Sequence, residues 1–136
     1  MSEIIYGRTF VTRLDFFVAW SVMYRKKVLA KEVSEYLSKI CREIAEDKGF
    51  SVLDLETYDQ NYVCGHISIP PKMSVTQAVK YLKGISGRLL LKEYSEIYKD
   101  LWHGRLWNGS YYAESLGSTH EESVRKYIER QILYQT

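Results

Sequence analysis

The chain has 136 residues, 46% of them hydrophobic, which is enough for one domain with a buried core and too few for two ordinary ones. No run approaches the ~20 apolar residues of a membrane span, and Glu3 and Arg8 interrupt the place where a signal peptide would need its apolar core, so a soluble, cytoplasmic chain is expected. The net charge of +2 is too small to announce a charged partner, and Cys41 and Cys64 lack the CxxC spacing of a zinc knuckle or redox pair.

Residues 11–24, VTRLDFFVAWSVMY, are rich in β-branched and aromatic types and predict a long strand ending at the basic cluster Arg25-Lys26-Lys27. From Lys31 to Lys48 the apolar positions Val33, Tyr36, Leu37, Ile40, Cys41, Ile44 and Ala45 recur at helical spacing, with Gly49 as the stop. Two short apolar runs follow, 50–58 and 61–69, separated by Asp59 and Gln60 as in a hairpin.

Pro70-Pro71 end the second of these strands, and Ser74-Val75-Thr76-Gln77 supply a capping box for a second helix. Its stripe is Val75, Ala78, Val79, Leu82, Ile85 and Leu89, while Gly84 and Gly87 suggest an irregularity or a close contact. Residues 105–117, RLWNGSYYAESLG, predict a strand broken by a turn at Asn108-Gly109. A last helix starts near Ser118 or Thr119 and runs to about residue 133, with Glu121 and Glu122 serving its dipole.

The order strand, helix, strand, strand, helix, strand, with one helix added at the end, is that of an α+β, ferredoxin-like split βαβ domain with an antiparallel sheet. Both main helices should cover one sheet face, leaving the other for nucleic acid, a partner subunit or the terminal helix. Fold alone selects no function, since this arrangement serves RNA-binding modules, metabolite sensors and nucleases alike. Twelve tyrosines and three tryptophans beside the basic clusters offer surfaces on which unpaired bases could stack, although sheet-edge packing explains many tyrosines equally well.

Four blocks in order now suggest a family: VAWSVMYRKKVL at 18–29, SIPPKMSVTQAVKYLKGISGRLLL at 68–91, LWHGRLWNGSYYAESLG at 101–117 and VRKYIERQ at 124–131. Together they resemble the TnpA-type single-tyrosine DNA transposases of the HUH nuclease class, found in bacterial and archaeal insertion sequences. That resemblance implies cutting and rejoining of single-stranded DNA at hairpin ends through a 5′-phosphotyrosine intermediate, by a homodimer acting at the nucleoid. Tyr127 matches the nucleophile. Mg²⁺ or Mn²⁺ would be held by a His-hydrophobic-His strand motif and a glutamine that Gln131 matches. Tyr127 and Gln131 lie four residues apart, so one helix face carries both.

Counting back from Pro70-Pro71, the two histidines fall at Tyr62 and Cys64, so the motif reads Tyr62-Val63-Cys64. A phenol is a poor ligand for Mg²⁺ and a thiolate prefers softer metals. His66 shares the strand face with both, about 6.6 Å further along than Cys64 at ~3.3 Å per residue, and is the remaining candidate ligand together with Cys64 and Gln131. Phe17 also stands where relatives often carry histidine. Arg25, Lys26, Lys27, Lys80 and Lys83 are the expected phosphate contacts. The alternatives are a hairpin-binding protein of the same ancestry without catalysis, and an unrelated RNA-binding or metabolite-sensing domain.

For the remaining aromatic and ionisable residues structural roles are expected. Trp102 and Trp107 should pack, and His103 and His120 should be exposed.

Overall fold

The computed structural model describes residues 14–99, 101 and 105–116. Within them the chain runs β1 (Leu14–Ser21), a 3-10 turn (Met23–Arg25), α1 (Lys31–Lys48), β2 (Ser51–Tyr58), β3 (Tyr62–Ile69), α2 (Val75–Glu93), α3 (Ser95–Lys99) and β4 (Tyr112–Ser115). The strands form one sheet in the order β2-β3-β1-β4, with every neighbouring pair antiparallel. β3 is thus inserted between β1 and β2, which makes the βαβ unit split and the fold ferredoxin-like, as the element order predicted. Among the described residues no helix is long and apolar enough to cross a membrane.

Each helix forms where its apolar spacing and its end signals agree. In α1 Val33, Leu37, Ile40, Cys41, Ile44 and Ala45 are buried, and Gly49 terminates the helix in a left-handed conformation at φ 89° with its N–H donating to Ala45 and Glu46 carbonyls. In α2 the Ser74 hydroxyl accepts from the Gln77 N–H at 3.0 Å, and Ala78, Val79, Leu82, Ser86, Gly87 and Leu90 face inward. Ser86 is fully buried yet satisfied, because its hydroxyl accepts from the Trp107 indole N–H at 3.1 Å.

Trp107 packs edge-on against Trp20, with ring centroids 5.8 Å apart, and so ties β1, α2 and the segment before β4 into one core.

Three boundaries differ from the sequence expectation. β1 ends at Ser21 rather than at residue 24, because Val22 makes an isolated bridge to Trp107 and Tyr24 and Arg25 turn left-handed at φ 55° and 53°. The segment expected as a strand at 105–117 contributes only that bridge at Trp107 and β4 at 112–115, with the turn at Asn108-Gly109 between them. The short α3, which is one turn of helix without its own apolar stripe, was not foreseen. The helix expected from about 118 to 133, with Tyr127 and Gln131, lies outside the described residues, as do Trp102, His103 and His120.

Candidate functional site

Strand alternation sorts β3 onto two faces. Val63, Ile67 and Ile69 enter the core under α1 and α2, while Tyr62, Cys64 and His66 point to the opposite face. Pairing register completes that second face: Ala19 of β1 and Glu56 of β2 stand beside Cys64, while Phe17 and Asp54 flank His66. Tyr112 and Glu114 of β4 follow in the same rows, opposite Ala19 and Phe17. Phe17, Ala19, Tyr62 and Cys64 form a small buried cluster there, with Tyr58, Tyr112 and Leu116 packed around it.

Burial decides the chemistry of this face. The Cys64 thiol is 4% exposed and its pKa is pushed up to about 12, first by loss of solvent and then by the nearby Glu56 charge. It is therefore a neutral thiol at any physiological pH. Tyr58 is raised above the ordinary phenol range by burial and by its hydrogen bond to the Glu56 carboxylate. His66 Nε2 lies 3.0 Å from Asp15 Oδ2, with both side chains largely buried.

These donors do not fit Mg²⁺ or Mn²⁺. A hard cation needs oxygen or imidazole ligands ready to bind, whereas the two expected ligand positions present a protonated thiol and a phenol. Among the described residues no group of three or more His, Cys, Asp or Glu side chains could hold a metal ion. Gln131 and Tyr127 lie outside the described residues. Of the sequence-derived site residues that are described, Cys64 and His66 are brought onto one sheet face.

The basic candidates separate into two kinds. Arg25, Lys26 and Lys27 are exposed on the turn that follows β1, at the end of the sheet where Ser21 pairs with Tyr62. Lys80 is exposed on α2. Lys83, also expected as a phosphate contact, is half-buried and donates to the Asn108 carbonyl at 2.6 Å and the Ser110 carbonyl at 3.0 Å. Burial lowers its pKa. Its ammonium clamps the turn before β4 through these two carbonyls.

Beside that turn, a groove of about 420 Å³ has Lys83, Gly84, Arg88, Arg105 and Gly109 among its lining residues.

Sequence reasoning did not single out Asp15, Tyr24 or Arg105, and it noted Arg88 only as one of the bases, with Lys80, Lys83 and Lys92, that recur through the second helix. Asp15 had a signal, a lone acid in an otherwise apolar strand at the same alternation as Phe17. Arg105 had none, because only the fold brings it beside Arg88.

Comparison with known proteins supplies the remaining context. The family model described as "Transposase IS200 like" matches residues 10–131. The ISDra2 transposase TnpA of Deinococcus radiodurans is 35% identical over 125 residues, covering 92% of this chain and 89% of that protein. The transposase of insertion sequence element IS200 from Salmonella typhimurium is 25% identical over 115 residues, covering 85% of this chain and 74% of its own length. A crystal structure from Deinococcus radiodurans R1, assigned as a transposase, superposes with a TM-score of 0.79 at 31% identity, over 94% of this chain and 98% of that one. A REP-associated tyrosine transposase bound to a REP hairpin shares the fold at a TM-score of 0.58 and 13% identity, over 90% of this chain and 67% of that chain.

Proposed function

This chain belongs to the IS200-like transposase family, and on that footing we propose that it binds single-stranded DNA hairpins at the ends of a mobile element, as a homodimer, without Mg²⁺- or Mn²⁺-dependent strand cleavage. The observation that carries the reading is the buried Tyr62-Val63-Cys64 strand, which puts a phenol and a thiol where the resemblance calls for two histidines. Binding needs only the fold, the exposed cations of the 25–27 turn and Lys80, and stackable aromatic rings. The hairpin held by a structural neighbour supports DNA hairpins as the partner.

A second reading follows from family membership itself. In it the Tyr127 phenolate attacks a phosphodiester, the 3′-oxygen leaves as a hydroxyl, and the 5′-phosphate stays on the tyrosine. That chemistry would need a ligand set moved to His66, Cys64 and Gln131, and the softness of a Cys64 thiolate, which suits Mg²⁺ and Mn²⁺ poorly, counts against it.

One assay separates the two. Incubation with single-stranded hairpin DNA and Mn²⁺, followed by a denaturing gel, should show binding in a parallel native gel but no covalent adduct. The double variant Tyr62→His/Cys64→His should then form an adduct that Tyr127→Phe abolishes. An adduct formed by the unaltered protein and lost in Tyr127→Phe would establish strand transfer instead. For the homodimer, light scattering after size-exclusion chromatography should give twice the 16.0 kDa chain mass, and a monomer at micromolar concentration would overturn it.

A further inference from the structure

Tyr24 is 62% exposed, one of two large hydrophobic side chains so placed among the described residues, and it sits immediately before Arg25, Lys26 and Lys27. Its backbone is left-handed at φ 55° and ψ 19°, and Arg25 follows at φ 53°. Glycine or asparagine suits that conformation, and two consecutive bulky residues in it are held only where surrounding structure dictates it.

The surrounding structure does so here. The buried Asn61 donates from Nδ2 to the Arg25 carbonyl at 3.0 Å and accepts the Val22 N–H on its own carbonyl at 2.9 Å. Met23 N–H donates to the Leu106 carbonyl at 2.7 Å, and Arg25 N–H to the Val22 carbonyl at 2.9 Å. The β2–β3 hairpin and the segment before β4 thus form a rigid pedestal under a tyrosine that makes little use of it for packing. An exposed aromatic ring on a backbone held in this way, flanked by three solvated cations, matches the combination that holds unpaired nucleotides: a flat surface for the base and charges for the adjoining phosphates.

We propose that Tyr24 stacks on an unpaired base of the bound DNA, in the hairpin loop or at its foot, while Arg25, Lys26 and Lys27 hold the flanking phosphates. This rests on the hairpin-binding reading above and adds to it a base-contacting residue that no metal or catalytic group involves. The hydrogen bonds of this turn hold the backbone from which the ring projects, so replacing Tyr24 with glycine, which lacks a Cβ, should relieve strain while weakening binding.

The test uses the full chain and hairpin DNA carrying 2-aminopurine at successive unpaired positions. With the unaltered protein, fluorescence at one position should be quenched on binding, and Tyr24→Ala should abolish that quenching and weaken binding by roughly tenfold, the loss typical of one stacked base. Tyr24→Trp should restore both. Tyr24→Gly should unfold at an equal or higher temperature than the unaltered protein while binding as weakly as Tyr24→Ala.

Tight hairpin binding by the unaltered protein with no change in affinity or quenching in Tyr24→Ala would overturn the stacking role alone. Failure of the unaltered protein to prefer hairpin over duplex DNA would overturn the hairpin reading with it. Tighter binding to an RNA hairpin of the same sequence would overturn DNA as the partner.

Discussion

The thiol of Cys64 lies between Ala19 and Glu56 on neighbouring strands, on the sheet face away from both long helices. The burial that raises its pKa also makes it inert, since the thiolate is the nucleophile. Cys41, fully buried on α1, is likewise raised to about 12. Neither thiol should react with a disulfide reagent at pH 8 in the native protein, and both should react at once in urea; rapid native labelling of either would contradict this burial.

Linkage gives a second consequence with a definite sign. The unfolded thiols lose their protons near 9.0, the folded ones only near 12, so both states are protonated below 9 and stability there is unaffected. As pH rises from 9 towards 12 the unfolded state is increasingly favoured, because it releases both thiol protons first. Urea midpoints measured at pH 8, 9.5 and 10.5 should fall in that order, and replacing both cysteines with alanine should flatten the upper part of the curve.

At the level of elements, α2 carries two glycines in unlike surroundings. A Cβ at Gly84 meets nothing within 4 Å, whereas one at Gly87 would lie 3.3 Å from Trp107 Cδ1 and 3.4 Å from its Nε1. Trp107 cannot easily retreat, being held by Ser86 and Trp20. Gly84→Ala should therefore stabilise the protein by about 0.5–1 kcal/mol through helix propensity. Gly87→Ala should lower the melting temperature, because overpacking of about 1–3 kcal/mol exceeds that gain. Equal melting temperatures for the two variants would show that the Trp107 contact carries no constraint.

The same contrast marks what could be foreseen of these elements. α1 is legible in the sequence because six buried positions and a terminal glycine agree. The end of β1 is not, because its apolar run continues smoothly into residues that the Val22–Trp107 bridge and the Asn61 contacts bend out of line.

For the molecule as a whole, a net charge of +2 gives weak long-range attraction to DNA, so affinity must come from local cations. Arg25, Lys26 and Lys27 are solvated and free to release counterions from phosphates, while Lys83 already serves two backbone carbonyls. Neutralising any one of Arg25, Lys26 or Lys27 to glutamine should reduce the slope of log affinity against log salt by about 0.7 for a single-stranded contact. Lys83→Met should leave that slope unaltered and lower thermal stability instead. A reduced slope in Lys83→Met would place its ammonium on DNA.

The sequence by itself determined α1 and α2, the hairpin at Asp59-Gln60, the α+β order of elements and the family, and it exposed the replaced ligand positions at Tyr62 and Cys64. Each of these depends on residues close together in the chain, through periodicity, turn chemistry or contiguous motif blocks. Tertiary structure alone decided that Cys64 is a buried neutral thiol, that His66 is tied to Asp15, that Lys83 is a clamp, and that Tyr24 stands on a strained pedestal. These depend on neighbours as distant in the chain as Met23 and Leu106, brought together by strand pairing and burial, and no local pattern encodes the solvent a side chain loses when the chain closes over it.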